Sequence, residues 1–465
     1  MESFPDQREE EGKEWLARIE DMLAGRQTYF LDQEAYEYAV HHYFQQNKPG
    51  KALAVSALAL KQYPFASDML LLRAQALTWA DKAADALDVL AEAEAFAMHD
   101  FELVLAKADA LSTLGRHAEA ISVLKEKAHM SNDEEKLNFV IANIYQNWER
   151  PGQAIKYYQK VLELNPRHEE ALFKLGYSLD ADGRLSEAVE IYQKVLDVDP
   201  YAAHVWYNLA LVYLRLGRNE DSAAAAEYAV TIEDDMAPAW FALGNAYMNL
   251  GRPAEAAPAY EKAAKLEPTA EILVCLGASY EQQEKFDTAM QHYRAAIKAD
   301  RDYDDAWYGI AVCLLEQGKH FESIHFFSKA IELTPDDDAY WLGLATAEYE
   351  TGNLVSALEA YEQACNLNPH NPDVWLEWSY LYYDMGDYER AISLITSGLE
   401  DLPDNADLFY RCCAYMLAAG HLSEAMAWLE QALELDFDGH EALYDFFPDL
   451  EQKKGIWRMI EHYRK

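Results

Sequence analysis

The chain is poor in cysteine and in positive charge. Five cysteines stand among 465 residues, at Cys275, Cys313, Cys365, Cys412 and Cys413. They show neither the spacing of a zinc site nor the even framework of a disulfide scaffold. Each falls inside a predicted helix and reads as a small buried apolar residue in a reducing compartment. Lysine and arginine number 39 against 81 acids, a formal net charge of −42. That balance lacks the basic surface that nucleic-acid binding needs to displace counterions, and the polybasic patch that adheres to an anionic membrane. It fits a soluble, self-repelling surface and leaves room for a basic protein partner. No apolar run reaches the roughly 18 residues of a membrane span. Residues 1–15 have neither the basic start nor the apolar core of a secretory signal, so the expected location is the cytoplasm. Sustained apolar–polar alternation is missing, which leaves an all-α class. No glycine-rich phosphate loop, zinc pattern or nucleophile elbow occurs, and His41-His42 and His168-Glu169 have no partners at metal spacing. The expectation is no enzyme, no cofactor and no metal.

What is present is a repeat. Residues 237–268 hold Trp240, Leu243-Gly244, Tyr247 and Gly251, then Ala256, Tyr260, Ala263 and a closing Pro268. Trp240, Leu243, Tyr247 and Leu250 share one face of a helix, and Ala256, Tyr260 and Ala263 share one face of a second. Gly244 is small where the two helices cross. Gly251 stands just past the first helix, where a left-handed residue is favoured, and Pro253 opens the second. The pattern returns with glycines at Gly115, Gly183, Gly217, Gly251, Gly318, Gly352, Gly386 and Gly420, in steps of 34 residues or near twice that.

In period and signature the chain resembles the tetratricopeptide repeat family. The resemblance implies a right-handed superhelical α-solenoid of helix-turn-helix repeats that binds other proteins. About twelve repeats can be placed. Residues 1–32 read as an N-terminal capping helix, 33–134 as divergent repeats, 135–439 as well-formed repeats, and 440–465 as a C-terminal cap. In that last stretch Pro448 cuts short a thirteenth first helix, and a final helix is expected over 450–463. Unit 203–236 departs from the pattern. Asp234 replaces the closing proline and Ser222 begins a run of alanines, so a local change of pitch is expected there.

The resemblance also implies which positions line a concave groove: the second, fifth, sixth, ninth, twelfth and thirteenth of each repeat. The fifth gives Phe139, Phe173, Tyr207, Phe241, Val274, Tyr308, Leu342, Leu376 and Tyr410. The sixth gives Asn208, the ninth Asn143, Tyr177, Asn245, Thr346 and Tyr380, and the twelfth Met248, Tyr349 and Tyr383. Rings supply buried area and amides can pair with a peptide backbone, so these residues suit a peptide or helix ligand. The alternative is that the fifth-position side chains pack against the next repeat as core. The family's lysine–asparagine clamp for a chaperone C-terminus has no three consecutive units to build it here, and its asparagine ladder is represented by Asn208 alone. The aspartates between repeats, Asp300 to Asp305 and Asp336 to Asp338, are expected to cap the following helices. The function expected is a non-catalytic interaction scaffold. A self-assembling structural subunit and a regulatory subunit of an enzyme complex are the alternatives.

Overall fold

The computed structural model describes residues 5–97, 100–131 and 133–464, with side chains from residue 11 onward. Among the described residues every regular element is a helix. The chain divides into two compact units, Met1–Ile232 and Glu233–Lys465. The division falls at the end of the alanine-rich second helix of unit 203–236.

In the first unit, α1 (Pro5–Leu23) precedes six helix pairs. They are α2 (Gln33–Gln45) with α3 (Pro49–Gln62), α4 (Ser67–Trp79) with α5 (Ala83–Glu94), and α6 (Phe101–Thr113) with α7 (His117–Glu126). Then come α8 (Glu134–Asn147) with α9 (Pro151–Leu164), α10 (Glu169–Ala181) with α11 (Leu185–Val198), and α12 (Ala203–Arg215) with α13 (Asn219–Ile232). Six more pairs form the second unit: α14 (Ala237–Asn249) with α15 (Pro253–Leu266), α16 (Ala270–Glu281) with α17 (Phe286–Ala299), and α18 (Asp304–Glu316) with α19 (His320–Leu333). The rest are α20 (Asp338–Glu350) with α21 (Leu354–Leu367), α22 (Pro372–Asp384) with α23 (Tyr388–Asp401), and α24 (Ala406–Ala418) with α25 (Leu422–Leu435). The twelve expected repeats are these twelve pairs.

Every pair turns through a left-handed residue. Eight of the turns use the glycines named above, Gly251 for example at φ 67°. The other four use Asn47, Asp81, Glu149 and Glu284, at φ between 51° and 60°. The tryptophan near the start of a first helix ties that helix to the loop before it. The indole N–H of Trp206 donates to the Pro200 carbonyl at 2.9 Å, and those of Trp240, Trp307, Trp341 and Trp375 each reach the carbonyl six residues back at 2.8–3.0 Å. Asp234 supplies that carbonyl as well as a proline would.

Packing within a pair rests on a buried second-helix ring. Tyr158, Tyr192, Tyr260, Tyr293, Phe327 and Tyr361 are all 2% exposed or less. Glycines on the first helices make the room, Gly176 under Tyr192, Gly244 under Tyr260 and Gly277 under Tyr293, and Ala256, Ala289 and Ala357 are buried one turn before the ring on its own helix. At the start, Ile19 of α1 is buried with Tyr36, Val40 and Val55, closing the first pair's apolar edge. At the end the chain departs from expectation. α26 is one turn, Leu443–Phe446, entered through a 3-10 turn at Asp438–Ala442. The final helix α27 is Lys454–Tyr463, and Leu450–Gln452 is a 3-10 turn rather than its first residues. Among the described residues no helix is long and apolar enough to cross a membrane.

Candidate protein-binding face

The first helix of each pair carries the candidate residues. Most of them are neither open nor sealed. They lean on the second-helix ring with one side and reach the surface with the other.

In the first unit, Phe139 stacks on His168 at 4.8 Å between ring centres and meets Tyr158 edge-on at 6.0 Å. The Lys174 ammonium stands 5.4 Å from the Phe139 ring. Asn143 was expected to offer its amide to a ligand. Its side-chain oxygen instead accepts from the Tyr158 hydroxyl at 2.7 Å and from Lys174 at 3.1 Å. One repeat on, Phe173 tilts against Tyr192 and meets His204 edge-on at 5.0 Å. It lines a cavity of about 220 Å³ with Glu169, Glu170, Asp199 and His204. Tyr177 is 50% exposed. Tyr207 and Asn208 are partly buried, and burial raises the Tyr207 hydroxyl above its ordinary pKa.

In the second unit, Phe241 leans on Tyr260 at 5.7 Å, and Asn245 accepts from the Tyr260 hydroxyl at 2.7 Å, as Asn143 does from Tyr158. Tyr308 is wedged between Phe327 and Tyr340, at 5.9 and 4.8 Å. Tyr349 is partly buried, and burial and then Asp384 push its hydroxyl well above the usual range. Tyr410 corrects the sequence reading. It is 1% exposed and its hydroxyl donates to the Asp436 carbonyl, so it belongs to the core. Tyr380 and Tyr383 are covered by the chain itself. The Phe446 ring of α26 lies 6.2 Å from Tyr380, 5.1 Å from Tyr383 and 5.9 Å from Tyr415, edge-on to each. The Arg411 guanidinium stands 4.9 Å from the Phe446 ring.

Acids crowd the same helices. Burial raises the carboxyls of Glu281, Asp305 and Glu377. The Tyr340 hydroxyl sits 3.1 Å from an oxygen of both Asp304 and Asp305. Of the aspartates expected as caps, Asp337 accepts from the Ala339 amide at the start of α20, while Asp300 accepts from the Asp302 amide in the loop before α18.

One feature escaped the sequence reading. A cavity of about 660 Å³ opens on α2, α4 and α6, lined by His41, Phe44, Gln75, Thr78, Trp79, Asp81, Asp109 and Thr113. All but Asp81 stand at ninth, twelfth or thirteenth positions of their repeats. The register was the available signal, but it was carried only through the well-formed units.

Tetratricopeptide repeat models match residues 139–203, 183–239, 237–270, 280–347, 348–401 and 382–445. No curated protein matches the chain. Among solved structures, a MamA protein from Desulfovibrio magneticus RS-1 is 24% identical with a TM-score of 0.36, over 37% of this chain and 98% of that one. YrrB, described as a TPR protein with an unusual peptide-binding site, is 20% identical with a TM-score of 0.35, over 40% and 96%. The APC/C hetero-tetramer Cut9-Hcn1 is 14% identical with a TM-score of 0.42, over 96% and 98%. Scores this low carry no inference about what this chain binds.

Proposed function

This chain belongs to the tetratricopeptide repeat family, and from that premise we propose that it is a non-catalytic scaffold whose first-helix faces hold a peptide segment or helix of one or more partner proteins. The observation that carries the reading is the treatment of the chain's own C-terminal segment. α26 is a single helical turn, yet its Phe446 seats edge-on against Tyr380, Tyr383 and Tyr415, with Arg411 over the ring. Edge-to-face ring contacts and a cation over an aromatic face each add to plain area burial. Phe173 and Tyr177 offer an aromatic anchor of a short partner helix two further rings, and Tyr177 is half exposed. The raised carboxyls along these helices favour a partner segment that brings positive charge.

The test is affinity purification of the full chain with mass spectrometry, run beside Phe173→Ala/Tyr177→Ala and beside Tyr177→Ala alone. The expected result is that at least one protein captured by the wild type is lost from the double variant while circular dichroism shows unchanged helicity. Retention of every captured protein at wild-type yield would overturn the reading. Tyr177→Ala removes a half-exposed side chain, so loss of a partner in that variant is not a folding effect.

A further inference from the structure

We propose that the cavity across α2, α4 and α6 is a binding site for an arginine or lysine side chain presented by a protein partner. The inventory of its walls points that way. Phe44 and Trp79 form an edge-to-face pair with ring centres 4.5 Å apart, an apolar wall of the kind that takes the stem and charge of a long cationic side chain. The lining also holds Asp81, left-handed at φ 60° in the turn after α4, and Asp109 from α6. The Thr78 hydroxyl already donates to the Ala74 carbonyl, and that of Thr113 to the Asp109 carbonyl, so what these hydroxyls offer the cavity is acceptor capacity. Two cations on α4 and α6 have partners away from the lining. Lys107 pairs with Glu94 at 2.7 Å, and Arg73 donates to the Leu53 carbonyl and to Ser56. The site is thus rich in acceptors and aromatic faces and has no lysine or arginine in its lining. An anion finds no lysine or arginine in this lining and faces two carboxylates. Nor, among the described residues, do three histidines, cysteines or acids converge to hold a metal.

This site rests on the reading that first-helix faces recognise protein segments, but none of its residues belongs to the face tested above. The probe is a fluorescein-labelled peptide of alternating arginine and glycine, with alternating lysine–glycine and glutamate–glycine peptides beside it, read by anisotropy on the full chain at 0.15 M salt. Saturable binding of the arginine or lysine peptide is expected, weakened at least tenfold in Asp81→Asn/Asp109→Asn. Both changes are isosteric, and asparagine tolerates the left-handed turn. Removing two equally charged groups of the second unit, in Asp302→Asn/Asp336→Asn, is expected to change affinity less than twofold. Equal loss in both double variants would reduce the binding to the general field of an acidic protein and overturn the proposal. So would absence of saturable binding, equal binding of the glutamate peptide, or equally effective displacement by spermidine. Partner capture that fails with Phe173→Ala/Tyr177→Ala while the cationic peptide ignores Asp81→Asn/Asp109→Asn would discard this site and keep the face. The converse pattern would do the opposite.

Discussion

The ring of Tyr260 lies so close over Gly244 that a β-carbon on the glycine would sit 2.4 Å from the ring edge. The ring cannot swing away cheaply. It is 1% exposed, and its hydroxyl is anchored on Asn245, the residue beside the glycine. The sequence reading gave Gly244 the task of letting two backbones approach. Its task is narrower: it is the floor on which a second-helix tyrosine lies flat. Gly244→Ala therefore sets a gain in helix propensity of about 1 kcal/mol against overpacking of roughly 1–3 kcal/mol. Net destabilisation is expected, seen as a lower Tm, with the Tyr260→Leu background relieving the clash and removing most of the difference. A neutral Gly244→Ala in the wild-type background would contradict the packing.

Phe446 makes the second prediction. Its ring closes on three tyrosines and receives Arg411, yet it belongs to a helix of one turn that cannot stand alone. Phe446→Ala should cost about 1–3 kcal/mol for a partly buried aromatic. Hydrogen exchange should quicken over residues 438–447 and in the last turn of α22, and should leave α14 to α17 unchanged. Exchange that quickened evenly across the second unit would mean the segment is an ordinary part of the core rather than a docked one.

Much of this architecture was legible because its markers are chemically conspicuous. A tryptophan that must find a carbonyl, a glycine under a tyrosine and an alanine one turn before a ring each leave a distinct letter at a fixed spacing. The illegible parts lack such letters. Asn47, Asp81, Glu149 and Glu284 take the same left-handed turn as the glycines but do not announce it. Asn143 and Asn245 looked like amides awaiting a ligand, because nothing local shows that a tyrosine fifteen residues on will claim them. Tyr410 stands at a face position by register, and only the turn at Asp436 draws it into the core. The covering of Tyr380 and Tyr383 depends on where the chain goes after α25, which repeat periodicity does not encode.

Those turns give a pair of predictions of opposite sign. Gly251 sits at φ 67° with open space around its α-carbon, so Gly251→Val suffers only from the backbone conformation. The expected loss is about 1–2 kcal/mol. Glu284 sits at φ 59° in the corresponding turn of the next repeat. Glu284→Gly should relieve that strain, stabilising the fold by up to about 1 kcal/mol and raising the Tm. Differential scanning calorimetry of the two variants should show shifts in opposite directions. Shifts of the same sign would mean that something other than backbone conformation sets the stability of these turns.

The last prediction concerns pH. Glu281, at the end of α16, is walled in by protein, and that burial raises its carboxyl. Hydrogen bonds donated by the Tyr293 hydroxyl at 2.6 Å and the Cys313 thiol act the other way but are the lesser causes, and nearby Glu316 adds to the rise. The folded chain therefore binds this proton more tightly than the unfolded chain, whose glutamate titrates near about 4.3. Stability must fall as pH rises from that value through the folded pKa, and the penalty is fully in place above it. Glu281→Gln removes the titration while leaving an oxygen to accept from Tyr293. Its Tm should exceed that of the wild type at pH 7, and the gap should close as the pH is lowered toward about 4. A gap independent of pH would assign the gain to packing alone. A variant less stable than the wild type at pH 7 would mean that the tyrosine and thiol hydrogen bonds outweigh the cost of holding a charge in that place.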